Sequence, residues 1–444
     1  MRNYEKILAN QKVELERLMS EPDIIDRAPS ASIDLNSPVA QIVTGIRRCG
    51  KSVLCRLALK RAGRAFGYVD FDDEALDGIE ASDLDDVFKA ALVVYGPFDT
   101  LYLDEIQDVP AWELFVSRLL RRRIHLVITG SNSKLLFSDL ATHLTGRFVS
   151  IELNPFSFSE YRRWLGRGES GGTEWMAELR RDYVEYFHCG GFPETFRIAD
   201  RRGYFKALYD SILVRDILHR HKVRNPKLLA DVAFVAMSNH AQEISALKLA
   251  NQLSAASVTT IQNYLTFLAE SRLVDLLPRY GRKAWEKTRV GKVYAADNGL
   301  VSYFTGVSDT EEGHGRRLEN LVWTALRAKR FEYDCSVSYL KEPAYEVDFV
   351  MERFGHPIRL VQVAYDISNP KTRERELSAL FAASRHLGCD DLLLVTDHES
   401  GEETRDGMRV RIVDAPTWLL EFDRESISET GFADAFSQDK THLR

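Results

Sequence analysis

The chain has 444 residues, 45% hydrophobic and 28% charged, with 59 Lys+Arg against 66 Asp+Glu and a formal net charge of −7. At roughly 100–200 residues per domain this length implies several domains, and the composition excludes global disorder, collagen-like repeats and a disulfide scaffold. Mild acidity excludes a uniformly basic nucleic-acid coat, though not a basic patch on one domain. The five cysteines are scattered without a C-x-x-C pair, as in reduced intracellular thiols. No apolar run approaches a membrane span, and the polar start at Met1 to Glu5 carries no secretory core. A cytoplasmic protein without membrane contact is expected.

In chain order, residues 1–37 hold a helical stretch with Ile7, Leu8, Leu15, Leu18 and Met19 apolar, then a Pro/Ser-rich link. Strands are predicted at Val39–Thr44, Ala65–Phe71, Thr100–Leu103 and Leu126–Thr129, separated by helical segments; a further strand runs from Phe148 to Leu153. That alternation reads as a parallel α/β sheet over 38–155. A helical stretch interrupted by Gly190, Gly191 and Pro193 occupies 156–222. Within 223–305, Ile244–Leu253 reads as a helix and Ala255-Ala256-Ser257 as a turn. A second helix then repeats Ile261, Tyr264, Leu265 and Leu268 at helical spacing. Two helices across a short turn suggest a helix-turn-helix. Strands Leu273–Leu277 and Lys292–Ala295, flanking a basic hairpin, would complete a wing. A second α/β pattern fills 315–424, and 425–444 is a polar tail.

The sharpest motif is Gly45-Ile46-Arg47-Arg48-Cys49-Gly50-Lys51-Ser52, a complete G-x-x-x-x-G-K-[ST] between an apolar strand and a helix that opens at Val53. At ordinary residue usage such a match arises by chance about 0.02 times in a chain this long. The glycines let successive backbone N–H groups face one anion at a helix N-terminus. Lys51 would then reach the β- and γ-phosphates of ATP and Ser52 would ligate Mg²⁺. Leu101-Tyr102-Leu103-Asp104-Glu105 is a strand ending in two acids: Asp104 to hold Mg²⁺ through water, Glu105 to activate the attacking water. After the strand ending at Thr129, Asn132 is the first choice for a polar group touching the γ-phosphate and the water, with Ser131 as rival. Arg147 is a candidate for sensing the chain's own nucleotide or a neighbouring subunit's. Cys49 presents two readings, a reactive thiol at a helix N-terminus or a tolerated variable position, and the second is preferred.

These residues resemble a family of prokaryotic AAA+ ATPases. The resemblance rests on Gly45 to Ser52, Leu103-Asp104-Glu105-Ile106-Gln107, Thr129-Gly130-Ser131-Asn132-Ser133 and Gly146-Arg147 followed by Asn154-Pro155-Phe156-Ser157-Phe158. Gly190-Gly191-Phe192-Pro193-Glu194 and Glu346-Val347-Asp348-Phe349 extend it, so that it covers roughly 38–424. It implies a multidomain α/β protein: a P-loop AAA+ core with a parallel sheet, a helical lid with a winged helix, and a C-terminal α/β domain like the restriction endonucleases. ATP binding and Mg²⁺-dependent hydrolysis are implied with it.

For the helix-turn-helix, Thr259, Gln262 and Asn263 are candidate DNA contacts, with Arg282, Lys283, Lys287 and Arg289 of the hairpin. Between 279 and 292 six basic residues, Arg279 and Lys292 included, face the single acid Glu286. The C-terminal comparison predicts a lost nuclease site. Glu319 and Asp348 stand where the metal-holding acids belong, but the expected Glu-x-Lys is Gln362-Val363-Ala364. The preferred reading is an ATPase whose hydrolysis drives a conformational switch, linked to DNA or to a protein partner or homo-oligomer. A nucleotide-gated DNA- or protein-binding regulator with little turnover is the alternative, and an ATP-dependent nuclease is disfavoured.

Overall fold

The computed structural model describes residues 2–20, 25–27, 29, 32–130, 146–168, 171–255, 257–281, 290–306, 310–330 and 332–425. The chain divides into two compact units, Met1–Leu321 and Val322–Arg444.

The first unit opens with α1 (Tyr4–Met19), which buries Leu8, Gln11 and Leu15. A five-stranded sheet follows, built from β1 (Ala40–Thr44), β2 (Phe66–Asp70), β3 (Thr100–Asp104), β4 (His125–Gly130) and β5 (Phe148–Glu152). Its order is β2-β3-β4-β1-β5 and every pairing is parallel. Parallel strands need crossover helices, supplied here by α2 (Lys51–Ala62), α3 (Leu84–Tyr95) and α4 (Trp112–Arg121). Strand alternation sorts the core: Leu101, Leu103, Leu126 and Ile128 pack in one buried cluster with residues of α1, α3 and α4. Tyr102, Val127 and Val43 face a second cluster with α2 and the helices that follow.

Those helices are α5 (Phe158–Trp164), α6 (Thr173–Cys189) and α7 (Arg201–Ser211). The last continues into a π-helical turn, Ile212–Leu218. Next come α8 (Pro226–Ser238), β6 (Gln242–Ser245), α9 (Ala246–Gln252) and α10 (Val258–Glu270), then β7 (Val274–Pro278) and β8 (Val290–Ala295). The three strands form an antiparallel sheet in the order β6-β8-β7. The predicted helix from Ile244 is corrected: Ile244 lies in β6, where its β-branched side chain is buried, and Ala246 starts α9. α11 (Asn298–Thr305) follows, and α12 (Glu311–Lys329) contains the boundary between the units.

The second unit holds a six-stranded mixed sheet, β13-β14-β12-β11-β10-β9. Its strands are β9 (Ser336–Lys341), β10 (Glu346–Arg353), β11 (His356–Ala364), β12 (Leu392–Thr396), β13 (Gly401–Arg405) and β14 (Met408–Asp414). The helices are α13 (Pro370–Leu387) and α14 (Ala415–Arg424). Among the described residues no helix is long and apolar enough to cross a membrane.

Candidate active site

Because β4 lies between β1 and β3, the turn after β1 and the acids ending β3 flank the carboxyl end of β4. Gly45 leaves β1 so close to the next strand that a Cβ would lie 2.2 Å from the Leu153 carbonyl oxygen. The loop ends at Gly50, whose φ of 101° is in the left-handed region, and α2 starts at Lys51 without a side-chain cap. Its first N–H groups therefore point out of the helix end as an anion site requires.

Lys51 is buried, donates to the Gly45 carbonyl at 3.2 Å and lies 3.7 Å from Glu105 Oε1. The Ser52 hydroxyl donates to Asp104 Oδ1 at 3.3 Å. Thr129, paired in register with Asp104, also donates its hydroxyl to Asp104. The Glu105 N–H donates to the Thr129 carbonyl at 3.2 Å. Glu105 has φ of 54°, a left-handed conformation that costs a non-glycine residue energy and is found at functional sites. Burial and the neighbouring Glu105 push the Asp104 carboxyl up. Burial also acts to raise Glu105, but Lys51, the Gln107 amide at 2.5 Å, Arg47 and Arg220 outweigh it and hold that carboxyl below its usual range. Asp70, paired with Asp104 across β2 and β3, is raised to about 7 by burial and by Asp104.

Lys51, Ser52, Asp70, Asp104 and Glu105 line one cavity of about 500 Å³, together with Arg47, Arg48, Val53, Asp72 and an apolar side that includes Phe156, Trp164 and Pro193. That size is ordinary for a small-molecule site. Basic groups and helix amides on the loop side suit a polyphosphate. The Ser52 hydroxyl beside a carboxylate whose own burial disfavours its charge suits a hard divalent cation, so the residues present fit ATP and Mg²⁺.

The remaining predicted residues are placed as follows. Ile46 is a core side chain whose carbonyl accepts from Lys51. Arg47 pairs with Asp216 at 3.1 Å, and Arg48 pairs with Glu194 at 3.4 Å and covers the Tyr204 ring. The Cys49 thiol is fully buried against the Leu153 carbonyl, and burial pushes it up, which corrects the reading of an activated thiol. Arg147 is corrected for the chain's own site: it precedes the amino end of β5, whereas the cavity lies at the carboxyl ends, about 17 Å away along a five-residue strand. Asn132 and its rival Ser131 lie outside the described residues, as do Arg282, Lys283, Lys287 and Arg289. On α10, Thr259 and Asn263 are exposed and Gln262 is half-buried. Lys292 does not add to the basic hairpin; it is buried and pairs with Glu319 at 3.0 Å.

That pairing, with a hydrogen bond from the Tyr294 hydroxyl, also commits Glu319 within the first unit. In the second unit Asp348 Oδ2 accepts from the Val363 N–H, and the Asp348 N–H donates to Gln362 Oε1. Gln362 Nε2 donates to Glu376 at 2.7 Å, and Ala364 is buried. The Gln362 amide thus bonds the Asp348 backbone N–H on one side and the Glu376 carboxylate on the other, and the described residues contain no cluster of metal-ligating side chains. They do not fit a nuclease metal.

The sequence reading missed Thr129, Arg27 and Asp216. Thr129 was detectable as the residue in register with Asp104 at the end of an adjacent strand. Arg27 is buried, binds Glu160 through two nitrogens, donates to the Cys49 carbonyl at 3.0 Å and lies over the Phe156 ring. Its position in a polar link gave no sign of this.

The AAA domain family matches residues 37–162, and a domain of unknown function (DUF8612) matches residues 180–311. An uncharacterized protein of Haemophilus influenzae is 29% identical over 343 residues, 74% of this chain and 82% of that one. Among solved structures, the Thermotoga maritima RuvB Holliday junction branch migration motor aligns at 16% identity and a TM-score of 0.30, over 61% of this chain and 89% of that chain. AMPPCP-bound DnaA from Aquifex aeolicus aligns at 14% identity and a TM-score of 0.24, over 61% and 90%. The uncharacterized protein MJ1544 of Methanocaldococcus jannaschii is 33% identical over 392 residues, 85% of this chain and 87% of its own length. The chain belongs to the family of that archaeal protein, with an AAA domain at residues 37–162.

Proposed function

We propose that the chain binds ATP with Mg²⁺ and hydrolyses it, using the energy to reposition the helices and small sheet that follow the AAA domain. The observation that carries this is the convergence of Lys51, Ser52, Asp104 and Glu105 on one cavity at the carboxyl ends of β1, β4 and β3, with Thr129 bonded to Asp104 behind it. Mg²⁺ held by Ser52 and Asp104 would neutralise phosphate charge. Lys51 and the loop N–H groups bind the β- and γ-phosphates. Glu105, kept ionised by its cationic neighbours, accepts the proton of the attacking water. Thr129 fixes both acids, through the Asp104 carboxylate and the Glu105 backbone.

We read 223–305 as a winged helix, supported by the order α8, β6, α9, α10, β7, β8, and 315–424 as a nuclease-like fold without nuclease chemistry, supported by the hydrogen bonding of Gln362. The wider division (1–37, 38–155, 156–222 and the tail 425–444) belongs to the same proposal, as do a DNA contact through α10 and a role for Arg147 on a neighbouring copy. Binding is tested by titrating ATP with and without Mg²⁺. The unmodified chain should bind more tightly with Mg²⁺, and Lys51→Ala should lose affinity by roughly an order of magnitude or more. Equal affinity in Lys51→Ala would overturn the site.

A further inference from the structure

Arg47, a variable position of the phosphate loop, lies between two acids from different parts of the first unit. Its guanidinium donates to both oxygens of Asp216, at 3.1 and 3.3 Å, and lies 4.0 Å from Asp72. Asp216 is buried on the π-helical turn, a rare geometry that concentrates at functional sites. The same turn sends Arg215 to Asp72 at 3.1 Å. One turn on, Arg220 is 3.2 Å from Asp108, just past the Glu105 turn, and 3.9 Å from Asp216.

The next residue faces the other way. The His221 ring stacks on Phe267 at 3.8 Å with 12° between the planes, and its Nε2 is 3.5 Å from Glu270. Phe267 and Glu270 are in the last turn of α10. Just beyond, Arg272 binds Glu152 at the end of β5 and Thr44, the residue before the phosphate loop. Two neighbouring side chains, Arg220 and His221, thus join the acid turn of the cavity to α10.

We propose that Asp216–His221 is the element that transmits occupancy of the cavity to α10, with Arg47 as its input and His221 as its output. The inference rests on the nucleotide reading of the site. A polyphosphate beside Arg47 competes with Asp216 for the guanidinium. Asp216, buried and acidic, then turns to Arg220, a second cation beside it. The end of the π-helical turn moves with it, and His221 carries the change to Phe267 and Glu270 while Arg272 keeps the end of α10 fixed to the sheet. The ligand thereby interacts differently with the two arrangements, as any population shift requires. Arg220 and His221 act as positioning residues; neither is needed to bind phosphate.

The test is hydrogen exchange of the full chain with and without Mg²⁺ and a non-hydrolysable ATP analogue, read at 45–52 and at 258–270. The unmodified chain should show slowed exchange in the loop and a changed rate in α10. His221→Ala should keep the loop protection and lose the α10 response. Glu270→Gln, which removes a charge without altering shape, should weaken that response and provides a second variant should His221→Ala fail to fold. An α10 response of the same size in both variants would overturn the inference, as would loop protection without any α10 response in the unmodified chain. Absence of loop protection in the unmodified chain would instead remove the nucleotide reading, and the inference with it.

Discussion

Arg27 shows how much one side chain can hold. It is buried, and its guanidinium ties the Cys49 carbonyl of the phosphate loop to Glu160 and to the Asn154 carbonyl. Removing one partner of a buried pair typically costs about 3–5 kcal/mol because the other charge is left alone. Arg27→Ala should therefore lower denaturant stability by that order and weaken nucleotide binding. Arg27→Lys should recover little of either, since a lysine cannot make the forked contact with Glu160. Loss below about 1 kcal/mol in Arg27→Ala would contradict the clamp. Asp70 gives a pH signature. Its proton is held more tightly when folded than at its ordinary value of 3.8. The folded state therefore binds more protons than the unfolded one between that value and about 7, and this contribution costs stability as pH rises through that window. In buffer free of divalent cations, Asp70→Asn should raise the melting temperature relative to the unmodified chain at pH 8 and much less at pH 4. An equal effect at both pH values would refute the burial argument.

Elements were legible where their signal was contiguous. The strands and the phosphate loop follow from local runs of apolar residues bounded by glycine or acids, and β1 to β5 lie within a residue or so of their predicted limits. What stayed hidden depends on pairs far apart in the chain: Arg27 with Glu160, separated by 133 residues, and Arg47 with Asp216, separated by 169. No periodicity records such pairs. The split of Ile244–Leu253 into β6 and α9 has the same origin, because β6 exists through pairing with β8. Gly191 marks a junction between elements. Its N–H donates to Asp297 at 2.7 Å, and a Cβ would lie 2.1 Å from the Phe156 carbonyl oxygen. Pro193 and Glu194, two and three residues on, line the cavity. Gly191→Ala should cost roughly 1–3 kcal/mol and lower nucleotide affinity, checked by thermal melting and by the same ATP titration. Unchanged affinity would separate this turn from the site.

On the scale of the whole molecule, the AAA domain and the residues up to Leu321 form one compact unit, and the described residues pack a buried cluster on each face of the sheet. One of these clusters runs from the phosphate loop and α2 through α7 to α10 and α11. Close-packed interiors transmit displacement rather than absorb it, which is the physical basis for the proposed coupling of the loop to the helices beyond it. In the second unit the central strands carry buried side chains such as Val347, Phe349, Leu360 and Leu394. Of the two acids predicted for a metal, Asp348 bonds the Val363 N–H there and Glu319 pairs with Lys292 in the first unit. The proposed turnover takes place at the first unit's cavity. Steady-state ATP hydrolysis with Mg²⁺ should be measurable in the unmodified chain and fall by roughly two orders of magnitude or more in Glu105→Gln, with ATP binding retained. Hydrolysis undiminished in Glu105→Gln would overturn the role of Glu105, and its absence from the unmodified chain would overturn the ATPase itself.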